Sequence, residues 1–119
     1  MTKTTKIKPE KLIELEILYY LKAKGVYAWK NASTGYFDAK RGVFRKQVNP
    51  FAISGSSDIL GVLPDGKFLA IEVKSKVGRL SDKQKNFIKL VNENNGIAFM
   101  ARSLDEVKEQ LCKMISIWL

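Results

Sequence analysis

Residues 71–76 read IEVKSK, with an acid and a base inside an otherwise apolar strand. Ile71 and Val73 alternate with Glu72 and Lys74, the period-2 pattern of a half-buried strand, so the two charged side chains share one face. On an exposed edge they would form only a surface ion pair. A second carboxylate changes that. Asp58 follows Gly55-Ser56-Ser57 and opens the apolar run DILGVL (Asp58–Leu63). Pro64-Asp65-Gly66 is a tight turn, and KFLAIEVK (Lys67–Lys74) returns directly from it. In an antiparallel hairpin the start of one strand lies beside the end of the other, which puts Asp58 near positions 72–74. Two carboxylates that close repel unless a cation sits between them, and oxygen ligands suit Mg²⁺ or Mn²⁺. Such an ion activates water and stabilises charge developing on a phosphoryl oxygen. Lys74 is placed to orient that water or to neutralise the phosphorane.

Composition narrows the alternatives. The chain has no histidine and a single cysteine, Cys112, which excludes His-dependent triads and His- or Cys-caged zinc. A lone thiol without a base reads as a buried core residue. At 119 residues, 45% hydrophobic and 28% charged, the chain is expected to form one globular domain over residues 9–119 behind a basic, flexible arm, 1–8. No apolar run approaches the roughly 20 residues of a membrane helix, and MTKTTKIKPEK lacks the apolar core of a secretory signal. A soluble, intracellular protein is the expectation. The net charge of +9 is uneven: residues 1–50 hold 11 Lys/Arg against 4 Asp/Glu, residues 51–119 hold 10 against 8. A basic half on a small domain favours a polyanion, nucleic acid before membrane.

The elements that must position these residues are legible from periodicity and caps. Pro9 to Lys24 reads as a helix ended by Gly25, with Leu12, Ile13, Leu15, Ile17, Leu18, Tyr20 and Leu21 at helical spacing. VYAWK (Val26–Lys30) and VFRKQV (Val43–Val48) read as strands around a turn-rich stretch, 31–42. After the hairpin, Ser81 caps a second helix with Gln84 at the capping-box position, and Asn94-Asn95-Gly96 ends it. IAFMA (Ile97–Ala101) is a buried strand, and Ser103 caps a third helix. The expected fold is one small α/β domain of order α-β-β-β-α-β-α, with a mixed central sheet flanked by helices.

The run SGSSDILGVLPDGKFLAIEVKSKVGRLSDKQKNFI closely resembles the core of VRR-NUC domains, a branch of the PD-(D/E)XK nuclease superfamily. The resemblance extends from Glu10 to about Leu111, and its most specific part is the joint run of GSSD, IEVKS and RLSDKQ. It implies a restriction-endonuclease-like core in which Asp58, Glu72 and the main-chain carbonyl of Val73 bind divalent metal and Lys74 serves the water. It also implies a helix-1 glutamate approaching the metal, through a water, and a supporting glutamine. Glu10 matches the first, sharing a helical face with Ile13, Ile17 and Leu21; Glu14 is its rival, and Glu16 points away. Gln84 matches the second, against the simpler reading of a capping residue. The superfamily's proline before the aspartate is absent; Ser57 stands there, as the branch pattern GxxD allows.

Phosphate contacts are expected from Lys30, Lys40, Arg41, Arg45 and Lys46, with Lys76 and Arg79 beside the site. Trp29 and Tyr36 are candidates to stack on bases, although Trp29 reads more readily as core. The family context implies a stand-alone, Mg²⁺- or Mn²⁺-dependent endonuclease for branched or structured DNA, similar to Holliday junction resolvases and working as a homodimer. It would act in replication or repair in a bacterial or phage-infected cytoplasm. MISIWL at the C-terminus is a dimer candidate or the last core segment. The rivals are a non-catalytic nucleic-acid-binding module and a sequence-specific restriction endonuclease.

Overall fold

The computed structural model describes residues 7–31, 36–45, 51 and 53–114. Most of the expected arm, Lys46, and positions 115–119 of MISIWL therefore lie outside the described residues. Helix α1 spans Glu10–Ala23, and Pro9, extended at φ −67° and ψ 149°, stands at its N-cap. Ile13, Ile17 and Leu21, four residues apart, form the buried stripe that holds it to the sheet. Strand β1 is Tyr27–Lys30, β2 Tyr36–Asp38, β3 Val43–Arg45, β4 Ile59–Val62 and β5 Phe68–Val73. Helix α2 (Asp82–Glu93), strand β6 (Ile97–Ala101) and helix α3 (Leu104–Met114) follow.

The main sheet runs β1-β4-β5-β6. The β1–β4 and β4–β5 pairs are antiparallel and β5–β6 is parallel, which makes the sheet mixed. With the separate β2–β3 sheet set aside, the elements follow the expected order α-β-β-β-α-β-α. Along the described chain as a whole, five strands rather than three stand between α1 and α2. One strand departs from its expected place. VFRKQV contributes only Val43–Arg45 among the described residues, paired with Tyr36–Asp38 in a separate two-stranded sheet. Tyr36–Asp38 lies in the stretch read as turn. The Asp38 carboxylate accepts from the backbone N–H groups of Lys40 and Arg41, and Gly42 takes φ +65°, so a tight turn closes this hairpin by itself.

Strand β5 is buried on both faces, and its alternation sorts the molecule into layers. Leu69, Ile71 and Val73 face the core built by α1 and α3, with Ile17, Leu21, Val107 and Leu111. Ala70 faces the other way, against Phe87 and Val91 of α2 and Ala98 of β6. Small residues there let α2 approach the sheet closely. The next residue on that face is Glu72.

Two expected core residues are surface residues. Cys112 is exposed: Val107 and Leu111 form the buried stripe of α3, and one further step of about 100° turns Cys112 away. Trp29 is 41% exposed, because β1 is an edge strand and α2 packs chiefly on β5 and β6. Among the described residues no helix is long and apolar enough to cross a membrane.

Candidate active site

Asp58 is held from three sides. Its carbonyl accepts from the backbone N–H of Asn31 at 2.6 Å, extending the β1–β4 ladder by one position. The Asn31 side chain donates to Ser56 Oγ at 2.8 Å and to the Ser57 carbonyl at 3.0 Å. On the far side, Gly55 adopts φ +82° with its α-carbon against α2, where an added Cβ would meet the Lys83 backbone carbon at 2.5 Å. Only glycine fits there. Across the hairpin, Asp58 Oδ2 accepts the Val73 N–H at 2.8 Å. In an extended strand a residue's N–H and C=O point to the same edge, so the Val73 carbonyl lies on the Asp58 side as well.

Glu72 is 3% exposed, far from the solvated strand face that simple alternation allows. Its Oε1 accepts from Gln84 Nε2 at 2.8 Å, and Lys74 Nζ stands 3.8 Å from the same oxygen, an ion pair too long for a hydrogen bond. Its Oε2 is buried with no hydrogen-bond partner. Burial, then the neighbouring Asp58 carboxylate, push the Glu72 carboxyl from its ordinary 4.5 up to about 8, against the opposing pull of Lys74. The site is short of positive charge.

Gln84 serves two structures at once. Its side-chain oxygen accepts from the Ser81 N–H at 2.9 Å while its own N–H donates to Ser81 Oγ at 3.2 Å, a complete capping box. With the amide oxygen committed to the cap, the amide nitrogen must face Glu72. Capping and site support are therefore one conformation rather than competing readings. The two substitutions separate them. Ser81→Ala should cost about 1 kcal/mol in stability, the usual value of an N-cap, and leave the DNA cleavage that the resemblance implies nearly unchanged. Gln84→Leu keeps the backbone bond to Ser81 Oγ but loses the reciprocal acceptor of the Ser81 N–H. It should also lower cleavage by about ten- to a hundredfold, because Glu72 loses the donor that orients it. Thermal melts and single-turnover cleavage of the two variants provide the comparison.

Lys74 has a 15% exposed side chain, and its N–H donates to the Ala101 carbonyl, carrying the β5–β6 pairing one residue past the strand. The loop beyond it is tied down by Arg102, whose Nη1 donates to the carbonyls of Ser75 and Gly78 at 2.6 and 2.7 Å. Glu10, at the start of α1, is exposed, but its carboxylate reaches this loop. A Cβ on Gly78 would come within 3.4 Å of Glu10 Oε2 and 3.3 Å of Lys74 Cδ. Glu14, its rival, is 8% exposed and pairs with Lys30 at 3.4 Å. Lys30 is opposite Ile59, so that pair belongs to the α1 side of the sheet, whereas Glu72 and Gln84 lie on the α2 side. Among the described residues no cluster of three or more acidic side chains forms. Asp58 and Glu72 are the close pair.

Asp58, Glu72, Lys74 and Gln84 thus come together, with Glu10 beside Lys74. Lys76 and Arg79 are exposed next to them, and Lys40 and Arg41 are exposed at the β2–β3 turn. The Arg45 side chain and Lys46 lie outside the described residues. Sequence reasoning missed Asn31 and Arg102, and it noted Ser57 only as standing in the proline's place, whereas Ser57 is buried with its Oγ also lacking a partner. The adjacency of Asn31 to the β1 strand was a usable signal. Arg102 was not findable, since its two carbonyl partners are 24 and 27 residues away.

A model of the VRR-NUC domain matches residues 38–105, more than half of the chain and all four converging residues. The chain belongs to the VRR-NUC domain family. That family is one of nuclease domains, which supports nuclease activity on DNA for this VRR-NUC domain. The match is narrower than the expected Glu10–Leu111 span and leaves α1 and β1 outside it. Neither the curated proteins nor the solved structures include a match.

Proposed function

We propose that this VRR-NUC domain is an endonuclease hydrolysing phosphodiester bonds in branched or otherwise structured DNA, with Mg²⁺ or Mn²⁺ held by Asp58, Glu72 and the Val73 carbonyl. The observation that carries it is the Glu72 carboxylate, sealed from solvent with one oxygen lacking any donor and Asp58 beside it. A purely structural ion pair would be expected to satisfy both oxygens. Hard oxygen donors with excess negative charge fit a divalent cation. When bound, such an ion supplies an activated water and a counter-charge for the phosphoryl oxygens.

The chain's own residues do the rest. Gln84 fixes the rotamer of Glu72, and the Val73 N–H fixes that of Asp58. The Lys74 ammonium, close to Glu72 and mostly shielded, orients the attacking water or offsets charge on the phosphate. Glu10 sets the electrostatics around Lys74 and would approach a bound metal through a water. Lys76, Arg79, Lys40 and Arg41, with Lys30, Arg45 and Lys46, hold the phosphate backbone without reading sequence. The domain is proposed to span 9–119 behind a basic arm and to work as a homodimer, so that paired cuts are symmetric. Its proposed place is DNA repair or replication in a bacterial or phage-infected cytoplasm.

The test is a panel of flap, four-way junction, linear duplex and single strand incubated with Mg²⁺ or Mn²⁺, with the mass in solution measured in parallel. Cleavage of the branched members above the linear duplex is expected. Binding without cleavage under any divalent metal would leave only a nucleic-acid-binding module, and discrete fragments from linear duplex would indicate a restriction endonuclease.

A further inference from the structure

The exposed aromatic residues of β1 share a face of the sheet with the acids. Trp29 is opposite Leu60 and Tyr27 opposite Val62, and cross-strand partners share a face. Leu60 packs on the cluster under α2, which fixes that face as the α2 side. Asn31, two residues beyond Trp29 and so on the same side, holds the loop that carries Asp58. Tyr27 is 78% exposed and Trp29 41%, their rings edge to face with centroids 6.1 Å apart. At about 3.3 Å per residue, Trp29 stands about 7 Å and Tyr27 about 13 Å along the strand from Asn31. Large aromatics on an open edge strand are a liability that a monomeric fold avoids without a use for them.

We propose that Tyr27 and Trp29 form a stacking platform for unpaired bases of the DNA strand leading into the Asp58–Glu72 site. The proposal rests on the nuclease reading above and narrows its substrate to DNA with a single-stranded segment beside the cut. Aromatic rings accept any base, because every base has a π-face, but they cannot engage bases already stacked within a duplex. The charge around the strand favours this occupant over a second copy of the chain. Residues 1–50, which include β1, carry 11 Lys/Arg against 4 Asp/Glu, and Lys22 borders the groove along β1. A two-fold pair on this edge would therefore bring two basic surfaces together, whereas a phosphate backbone complements them.

Binding is measured in a Glu72→Gln background, which leaves the DNA uncut, with a forked DNA bearing single-stranded arms and a blunt duplex of equal length. Tyr27→Leu combined with Trp29→Leu should weaken fork binding about ten- to a hundredfold while duplex binding stays within about twofold. Trp29→Phe, which keeps an aromatic face, should retain most of the fork affinity. In a Trp118→Phe chain Trp29 is the single indole, and single-stranded oligonucleotide should quench its emission. Equal losses on fork and duplex, no loss on either, or a dimer that dissociates on the leucine substitutions would overturn the platform. None of these readouts needs cleavage. Failure of the nuclease reading appears separately, as a native chain that cuts nothing.

Discussion

Glu72→Gln should lower DNA cleavage by at least about a thousandfold, the scale of losing a principal electrostatic group at a reacting centre. The same substitution should raise the melting temperature of the metal-free protein at pH 8. The two effects share a cause. Glu72 is 3% exposed, faces Asp58 and has one oxygen without a donor, so its charge is poorly tolerated until a cation arrives. The amide keeps the acceptor that Gln84 needs and replaces the orphaned oxygen with a donor that can face Asp58. Removing one partner from a structural salt bridge does the opposite, destabilising the fold by leaving the other charge unpaired. Calorimetry at pH 8 beside single-turnover cleavage provides the check. A variant that melts lower and still cuts would show Glu72 to be a structural residue.

Divalent cation should stabilise the native protein with a pH dependence set by the same carboxyl. Its value of about 8 in the fold stands above the ordinary 4.5. A raised value means the folded chain holds a proton that the unfolded chain releases. The stabilisation from that proton is fully present below pH 4.5 and is lost as pH rises through 8. The metal-free protein should therefore weaken between these limits. A cation must displace the proton, so its apparent affinity should rise by up to about tenfold per pH unit and level off near pH 8. At a hundredfold excess over Kd the cation should add about 2.7 kcal/mol to stability. Melts with Mg²⁺, Mn²⁺ or Ca²⁺ across pH 6–9, and titration calorimetry in buffers of differing ionisation enthalpy, would register the shift and the released proton. An affinity independent of pH would mean that Glu72 is not a ligand.

The hairpin and its chemistry were legible because they rest on short-range rules. Strand alternation and the Pro64-Asp65-Gly66 turn suffice to bring Asp58 opposite Glu72 and Lys74. The capping box Ser81–Gln84 is a four-residue pattern, and the structure forms it as read. Other features depended on which surfaces meet, and no local pattern encodes that. The parity of Trp29 was readable, but its exposure follows from α2 covering β5 and β6. The thiol of Cys112 looked buried by apolar surroundings, yet the helix phase set by Val107 and Leu111 turns it outward.

By itself the sequence determined the order of the main-sheet elements, the absence of His-dependent chemistry, and the convergence of two carboxylates and a lysine. Tertiary structure alone decided that Gln84 joins its cap to Glu72, that Arg102 ties down the loop behind Lys74, and that Glu10 and Glu14 part company. Glu14 is drawn to Lys30 on the α1 side of the sheet, while Glu10 reaches the loop beside Lys74. The physical reason is range. Alternation and caps act over a few residues, whereas burial of Glu72 arises only when α2, β4 and β5 close around it.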